Sequence, residues 1–207
     1  MQMTRRLHTI LWLALFAFAL AGCSNKGPRL PRLAATDVIV AFGDSLTFGT
    51  GAGENESYPA VLAQLIGHAV VSSGVPGETT AQALQRLPEV LTEHQPKLVI
   101  VCLGGNDMLR QLSAAETTAN LRAIVGKVKA GGANVVLIGV PRPALLTSAP
   151  KFYAELAKEF GIPYEGAIVT SVLYKSELKS DPIHPNAAGY RKIAEAIAAL
   201  LRQAGAV

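Results

Sequence analysis

The chain has 207 residues, half of them hydrophobic and 16% charged, with a formal net charge of +4. This length suits one globular domain that buries a sizeable core without a disulfide framework. The positive charge is too small and too scattered for the cationic face with which proteins bind nucleic acid. We therefore predict one folded domain and no nucleic-acid partner.

The N-terminus has the features of a secretion signal. Arg5 and Arg6 precede an apolar run over residues 10–20, which is shorter than the roughly 20 apolar residues of a membrane-spanning helix. The run ends in Leu-Ala-Gly-Cys at 20–23, which resembles the lipobox of bacterial lipoproteins. Ordinary signal cleavage and an uncleaved anchor are the alternative interpretations.

The lipobox resemblance implies that residues 1–22 are a lipoprotein signal peptide and that Cys23 carries the lipid anchor. Ser24 in the next position implies an outer-membrane lipoprotein that faces the periplasm or the cell surface. Residues 23–36 are rich in glycine, proline and basic side chains, so we expect a flexible tether there. Cleavage would leave 17 basic and 15 acidic side chains, and residues 37–207 would form the domain.

Short β-branched runs alternate with helical patterns from Asp37 onward, which is typical of a parallel sheet covered by helices. The predicted strands are Val38 to Phe42, Ala69 to Ser72, Leu98 to Leu103, Val135 to Val140 and a weaker Ile162 to Tyr164. The first four are apolar on both faces, so we expect both faces to be buried. The fold class is therefore α/β, a three-layer α/β/α sandwich with a five-stranded, mostly parallel sheet.

Amphipathic helices are predicted between these strands. Ser57 is a candidate N-cap for the first helix, and Pro88 should end or kink the second. The predicted helices are Tyr58 to Ile66, Ala81 to Leu91, Thr117 to Lys129, Lys151 to Phe160 and about Asn186 to Gln203. In sheets of this kind, ligands bind at the carboxyl ends of the strands, so functional residues are expected there.

Three loops that follow strands carry unusual residues. The first loop contains Asp44 and Ser45, and the second contains Gly74 and Gly77, either of which could present a backbone N–H to a developing negative charge. The third loop brings Asn106, whose side-chain amide suits an oxyanion donor. Considered alone, the first and third loops could be ordinary turns, and the second could be a helix entry capped by Thr79 or Thr80.

A fourth segment, before the last helix, contains Asp181 and His184. A serine hydroxyl needs an imidazole to accept its proton, and that imidazole needs an acceptor on its other nitrogen. Three residues apart, Asp181 can reach His184. No histidine pair has the spacing of a zinc helix, so we expect neither a metal nor a cofactor. Cys102 lies within an apolar run and is predicted to be a buried, inert thiol.

The four segments together resemble the SGNH or GDSL hydrolase family, and within it the bacterial arylesterases, acyl thioesterases and lysophospholipases. The resemblance covers nearly all of residues 37–207. It implies Ser45 as nucleophile, His184 as general base and acid, and Asp181 as its orienting partner.

The same resemblance implies an oxyanion hole made by the backbone N–H groups of Ser45 and Gly77 and by the side chain of Asn106. Gly77 is favoured over Gly74 because an acidic residue and a threonine follow it, as in the thioesterase-like branch. The family usually has an asparagine ahead of its glycine, whereas this chain has Ser72 and Ser73.

The resemblance implies a serine esterase acting on small ester or lipid substrates, as a monomer. Asp44 and, in the loop after the fourth strand, Leu145 and Leu146 are expected substrate contacts. Two alternatives remain: an O-acetylesterase acting on envelope polysaccharide, and an envelope lipoprotein without catalytic activity.

Overall fold

The computed structural model describes residues 27–142 and 148–207. Their core is a parallel five-stranded sheet in the order β2-β1-β3-β4-β5. The strands are β1 Ile39–Gly43, β2 Val70–Gly74, β3 Leu98–Cys102, β4 Asn134–Ile138 and β5 Tyr164–Glu165. The predicted α/β class with a five-stranded parallel sheet is confirmed. Cys23, Leu145 and Leu146 lie outside the described residues.

Helices cover the sheet in two groups. One group packs α2 and α7 against α8, and the other packs α3 and α6 against α5. The helices are α1 Ser45–Phe48, α2 Tyr58–Ile66, α3 Thr80–His94, α4 Gly105–Leu109, α5 Ala114–Ala130, α6 Lys151–Phe160, α7 Ile168–Leu173 and α8 Ala187–Ala204. No helix in these two ranges is long and apolar enough to cross a membrane.

Local sequence signals predicted the bounds of two helices correctly. Helices α2 and α6 have the predicted bounds, and each ends at a glycine in the left-handed conformation. Ser57 precedes α2 but makes no side-chain capping hydrogen bond. Helix α3 continues past Pro88, so Pro88 does not end it; Pro88 is exposed, and water can solvate the backbone carbonyl that its ring leaves unpaired.

Strand β2 differs from the prediction. All residues of β1 and β3 are buried, but β2 is only half-buried and Ser72 is exposed. The reason is its position: β2 is an edge strand that pairs with β1 alone. An apolar run cannot reveal strand order, so the expectation of two buried faces is wrong for this strand.

The segment that enters the domain is packed rather than free. The backbone N–H of Leu30 donates to the carbonyl of Ala204 at 3.0 Å, and that of Leu33 to Ala206 at 2.8 Å. Leu33 is buried in the core, and Arg29 donates to the Gln203 carbonyl at 3.1 Å. Residues 30–33 of the predicted tether are therefore fixed to the C-terminal end of α8.

Candidate active site

The candidate site lies at the carboxyl edge of the sheet, where β1, β2 and β3 end side by side. Gly43 ends β1 and pairs with Gly74 of β2 and Cys102 of β3. A Cβ atom at Gly43 would overlap the carbonyl oxygen of Cys102 and the side chain of Thr47. Glycine is therefore required here for the chain to turn from β1 into α1, which begins at Ser45.

A chain of hydrogen bonds joins Ser45 to the segment before α8. The Nε2 atom of His184 lies 3.0 Å from Ser45 Oγ, and its Nδ1 atom lies 2.7 Å from Asp181 Oδ2. This geometry allows the Ser45 hydroxyl to donate to Nε2 while Nδ1–H donates to the carboxylate. The structure thus brings together the three residues predicted as nucleophile, base and orienting partner.

The carboxylate of Asp181 is held in a charged form that suits this arrangement. Its Oδ1 atom accepts the backbone N–H groups of Ile183 at 2.8 Å and His184 at 2.9 Å. Partial desolvation alone would raise the pKa of Asp181, but these bonds and the bond to the His184 ring outweigh it and lower that pKa. Asp181 is therefore ionised at neutral pH beside His184.

Three N–H groups are predicted to form the oxyanion hole. The backbone N–H of Ser45 is at the first position of α1 and has no intrahelical acceptor. The N–H of Gly77 makes no hydrogen bond within the described residues, and Gly77 has φ +78° in a Val75–Glu78 turn closed at 3.1 Å. The third donor is the side-chain amide of Asn106.

The two candidate glycines of the second loop have different environments. A Cβ atom at Gly74 would overlap the backbone nitrogen of Phe48 and the carbonyl oxygen of Asp44, so Gly74 is covered by α1. A Cβ atom at Gly77 would meet only the Arg110 side chain, at 3.8 Å. The open space beside Gly77 suits an N–H group that receives a ligand, and the packing of Gly74 does not.

The Asn106 side chain is oriented by two acceptors. Its Nδ2 atom donates to the Glu78 carbonyl at 3.0 Å and to Asp44 Oδ2 at 3.3 Å. Such bonds fix which atom of the amide is nitrogen and limit its rotation. Asn106 therefore ties the third loop to both other loops.

Asp44 was predicted to contact substrate, and this stays a prediction. It lines a cleft beside Ser45 but is 1% exposed, and its Oδ1 atom accepts the N–H of Leu46 at 3.0 Å. Burial raises the pKa of Asp44 to about 7, and the nearby carboxylates of Glu78 and Asp107 add to the rise. Asp44 caps α1 and supports Asn106 from beneath the site.

Known proteins are similar to this chain in sequence and fold. A sequence model of the GDSL-like lipase/acylhydrolase family matches residues 41–192. This range includes all four segments that carry the predicted site residues Ser45, Gly77, Asn106, Asp181 and His184. The chain belongs to the GDSL-like lipase/acylhydrolase family. Membership places it among ester-cleaving hydrolases.

Individual relatives agree with the family match. Thioesterase 1/protease 1/lysophospholipase L1 of Escherichia coli K12 is 36% identical over 163 residues, covering 75% of this chain and 78% of the relative. Esterase TesA of Pseudomonas aeruginosa is 29% identical, covering 86% and 94%. A solved structure described as TesA superposes with a TM-score of 0.73 at 26% identity, covering 81% of this chain and 99% of that one.

An apolar cleft opens beside Ser45 and His184 in this family member. Its apolar side chains come from α1, α4, the segment after β4, α7 and the segment before His184, and they are Leu46, Leu109, Val140, Pro141, Leu173 and Ile183. Apart from Pro141, which begins the loop of Leu145 and Leu146, sequence analysis missed them, because each is an ordinary hydrophobic residue in its own segment. The expected contacts Leu145 and Leu146 lie outside the described residues, so the cleft is defined without them.

The raised pKa of Asp44 predicts a pH-dependent stability. Because its folded-state pKa is raised from 3.8 to about 7, the folded protein binds this proton more tightly than the unfolded chain. The free energy of unfolding then falls as pH rises from about 4 to about 7. Asp44→Asn removes that loss, so its melting temperature relative to wild type should increase across this range.

Thermal melts of both proteins at half-unit steps from pH 4 to pH 8 measure this difference. Glu54→Gln, which changes an exposed carboxylate, is the control and should follow wild type throughout. A constant difference between Asp44→Asn and wild type would contradict the assignment of a proton to buried Asp44.

Proposed function

We propose that the protein is a serine esterase that hydrolyses carboxylic esters or thioesters through an acyl-enzyme on Ser45. The observation that carries the proposal is the continuous hydrogen-bonded series from Ser45 Oγ through the His184 ring to Asp181. This is the arrangement in which an imidazole activates a hydroxyl nucleophile.

The geometry supports a two-stage reaction. Ser45 Oγ attacks the substrate carbonyl carbon while its proton moves to His184 Nε2, and Asp181 stabilises the resulting imidazolium. The carbonyl oxygen becomes an oxyanion, which accepts hydrogen bonds from the N–H groups of Ser45 and Gly77 and from Asn106 Nδ2, whose longer bond to Asp44, at 3.3 Å, is given up for it. His184 then donates its proton to the departing alcohol or thiol, leaving an acyl group on Ser45.

Water completes the cycle. His184 Nε2 accepts a proton from the water as its oxygen attacks the acyl-enzyme, and the same three donors stabilise the second oxyanion. The Ser45–acyl bond breaks, the carboxylic acid leaves and the proton returns to Ser45 Oγ. Both stages use the same His184 nitrogen, so the distance of 3.0 Å between Nε2 and Oγ is the critical one.

Covalent labelling tests the nucleophile. A fluorophosphonate probe should label the wild-type protein once, at Ser45, because an activated serine attacks the phosphorus and displaces fluoride. Ser45→Ala should remove both labelling and hydrolysis of p-nitrophenyl butyrate while keeping the wild-type melting temperature. Ser171→Ala, which changes a serine on α7, is the matched control, and labelling that persists in Ser45→Ala would overturn the proposal.

The apolar cleft supports an acyl chain as the group held beside Ser45. Leu109 lines this cleft and is 45% exposed, whereas Leu112 is equally exposed but does not line it. Leu109→Ser should lower kcat/KM for a decanoyl ester by about 5- to 30-fold, since a buried apolar side chain contributes roughly 1 to 2 kcal/mol.

The acetyl ester does not reach along the cleft, so its kcat/KM should stay within about twofold of wild type in Leu109→Ser. Leu112→Ser is the control and should leave both esters unchanged. An equal loss for acetyl and decanoyl esters would show that Leu109 acts on the catalytic residues instead of the acyl chain.

We also propose that Cys23 carries a lipid and anchors the protein in the outer membrane. The proposal is supported by the Leu-Ala-Gly-Cys sequence after a basic and apolar N-terminus, and by Ser24 after the cysteine. Two or three acyl chains give stable anchoring, whereas one chain binds a membrane only reversibly. Residues 1–22 would then be the removed signal peptide.

The anchor would sit at the edge of the sheet opposite the active site. Residues 30–33 pack on the C-terminal end of α8, and α8 begins just after His184 and runs back to the amino ends of the strands. Three residues separate Cys23 from Gly27, a path of at most about 14 Å. The mouth of the active site would therefore face away from the anchoring membrane.

Metabolic labelling tests the anchor. The full chain, expressed in a bacterium with an outer membrane, should incorporate labelled palmitate and fractionate with that membrane. Cys23→Ala should abolish the incorporation, and Cys102→Ala, which changes the buried cysteine of β3, should keep it. Palmitate incorporation that survives Cys23→Ala would contradict the anchor but would leave the esterase proposal intact.

A further inference from the structure

We propose that Arg86 is a positioning residue for the oxyanion hole, acting through Glu78. This inference rests on the proposed esterase function. Arg86 lies on α3, away from Ser45, and none of the site motifs includes it. Its side chain nevertheless contacts two of the segments that build the hole.

The guanidinium of Arg86 forms a planar, two-bond pair with the carboxylate of Glu78. Nε donates to Oε1 at 2.9 Å and Nη2 to Oε2 at 2.7 Å. Nη1 donates to Ser73 Oγ at 2.7 Å, and the guanidinium carbon lies 4.6 Å from the centre of the Phe42 ring. Arg86 therefore connects the ends of β1 and β2 to the loop that carries Gly77.

Glu78 transmits this restraint to the donors. It directly follows Gly77, and its own carbonyl accepts the Asn106 amide at 3.0 Å. Gly77 has φ +78° and lacks a side chain, so its peptide planes rotate easily unless neighbouring residues are fixed. Clamping the Glu78 side chain thus orients two donors: the Gly77 N–H beside it and the Asn106 Nδ2 bonded to it.

The burial of this pair distinguishes it from a surface ion pair. The Glu78 side chain is 5% exposed and that of Arg86 is 23% exposed. The chain offers a matched control in Arg122 and Glu159, which form the same two-bond contact at the surface with exposures of 47% and 44%. Both pairs are bidentate ion pairs, but of the two only Arg86–Glu78 adjoins Asn106.

The inference predicts a loss in kcat more than a change in KM. With p-nitrophenyl butyrate, Arg86→Met should lower kcat by about 10- to 100-fold, because small displacements of catalytic groups have effects of this size. KM should stay within about threefold, since the acyl cleft is untouched. Arg122→Met should leave both constants at the wild-type values.

A double-mutant cycle separates positioning from general damage to the fold. Asn106→Ala alone should lower kcat by about 100- to 1000-fold. If Arg86 acts through the oxyanion donors, adding Arg86→Met to Asn106→Ala should cost much less than Arg86→Met costs in the wild-type background. Equal losses in the two backgrounds would overturn the inference.

A trifluoromethyl ketone with a butyl chain supplies a second measurement, because Ser45 Oγ adds to its carbonyl carbon and the former carbonyl oxygen of the resulting hemiketal is the oxyanion. Its inhibition constant should rise in Arg86→Met by the same factor as kcat/KM falls, and an unchanged constant would count against the inference. If Arg86→Met does not fold, Arg86→Lys tests the same inference, because lysine keeps the charge but cannot form the planar two-bond pair with Glu78. Its kcat should fall, and full activity of Arg86→Lys would overturn the positioning role of Arg86.

The same measurements on the wild-type protein distinguish a failure of the proposed esterase function from a failure of the proposed role of Arg86. Absence of esterase activity and of fluorophosphonate labelling in the wild type refutes the proposed function itself. An active, labelled wild type with an equally active Arg86→Met refutes only the role of Arg86.

Discussion

The hydrogen bond between Ser45 Oγ and His184 Nε2 joins residues 139 positions apart. The rest of the structure has to keep these two atoms within hydrogen-bonding distance. Ser45 is held by the end of β1, an interior strand of the sheet, and His184 by the entry into α8. Helix α8 packs against α2, which follows Ser45 along the chain. A shift of either helix would lengthen the one contact through which a proton must pass.

Behind that contact lies a layer of buried carboxyl groups, one in each of the first three loops. Asp44 supports Asn106, Glu78 binds Arg86, and Asp107 accepts the backbone N–H of Thr80 at 2.9 Å. Asp44 and Asp107 link their loops to a second loop, and Glu78 ties its loop to α3, so the predicted oxyanion donors are held in place before a substrate arrives. Such preorganisation stabilises a developing charge without reorganisation during the reaction.

This arrangement has a cost in folding free energy. Asp44 is buried near two other carboxylates, and its pKa of about 7 measures how strongly that environment opposes its charge. A polar cluster of this kind destabilises the folded state relative to an apolar core, and functional sites commonly retain such groups because activity needs them. The apolar, fully buried strands β1 and β3 supply the compensating stability.

The parts of the site that local sequence determines could be predicted. Asp181 and His184 are three residues apart, and Ser45 and Asn106 follow runs that only buried strands explain. Arg86 could not be found in this way, because its partners come from other segments, Ser73 from β2 and Glu78 from the loop after it, and its own segment is an ordinary amphipathic helix. Contacts across the sequence depend on strand order, which no local pattern encodes.

The same limit explains the other differences. Strand β2 has a core-like sequence but lies at the edge, and Asp44 has the sequence of an exposed turn residue but lies beneath Asn106. Leu30 and Leu33 are bonded to the far end of α8, which a composition rich in glycine and proline does not suggest. In each case a partner distant in sequence decided the environment.

The most direct test of this account is a crystal structure of the protein after reaction with an alkyl fluorophosphonate. The account predicts phosphorus bonded to Ser45 Oγ, with one phosphonyl oxygen about 2.7 to 3.1 Å from the N–H nitrogens of Ser45 and Gly77 and from Asn106 Nδ2. The alkyl group should lie in the cleft lined by Leu109 and Leu173. A phosphonyl oxygen turned to solvent, or phosphorus on another residue, would contradict it.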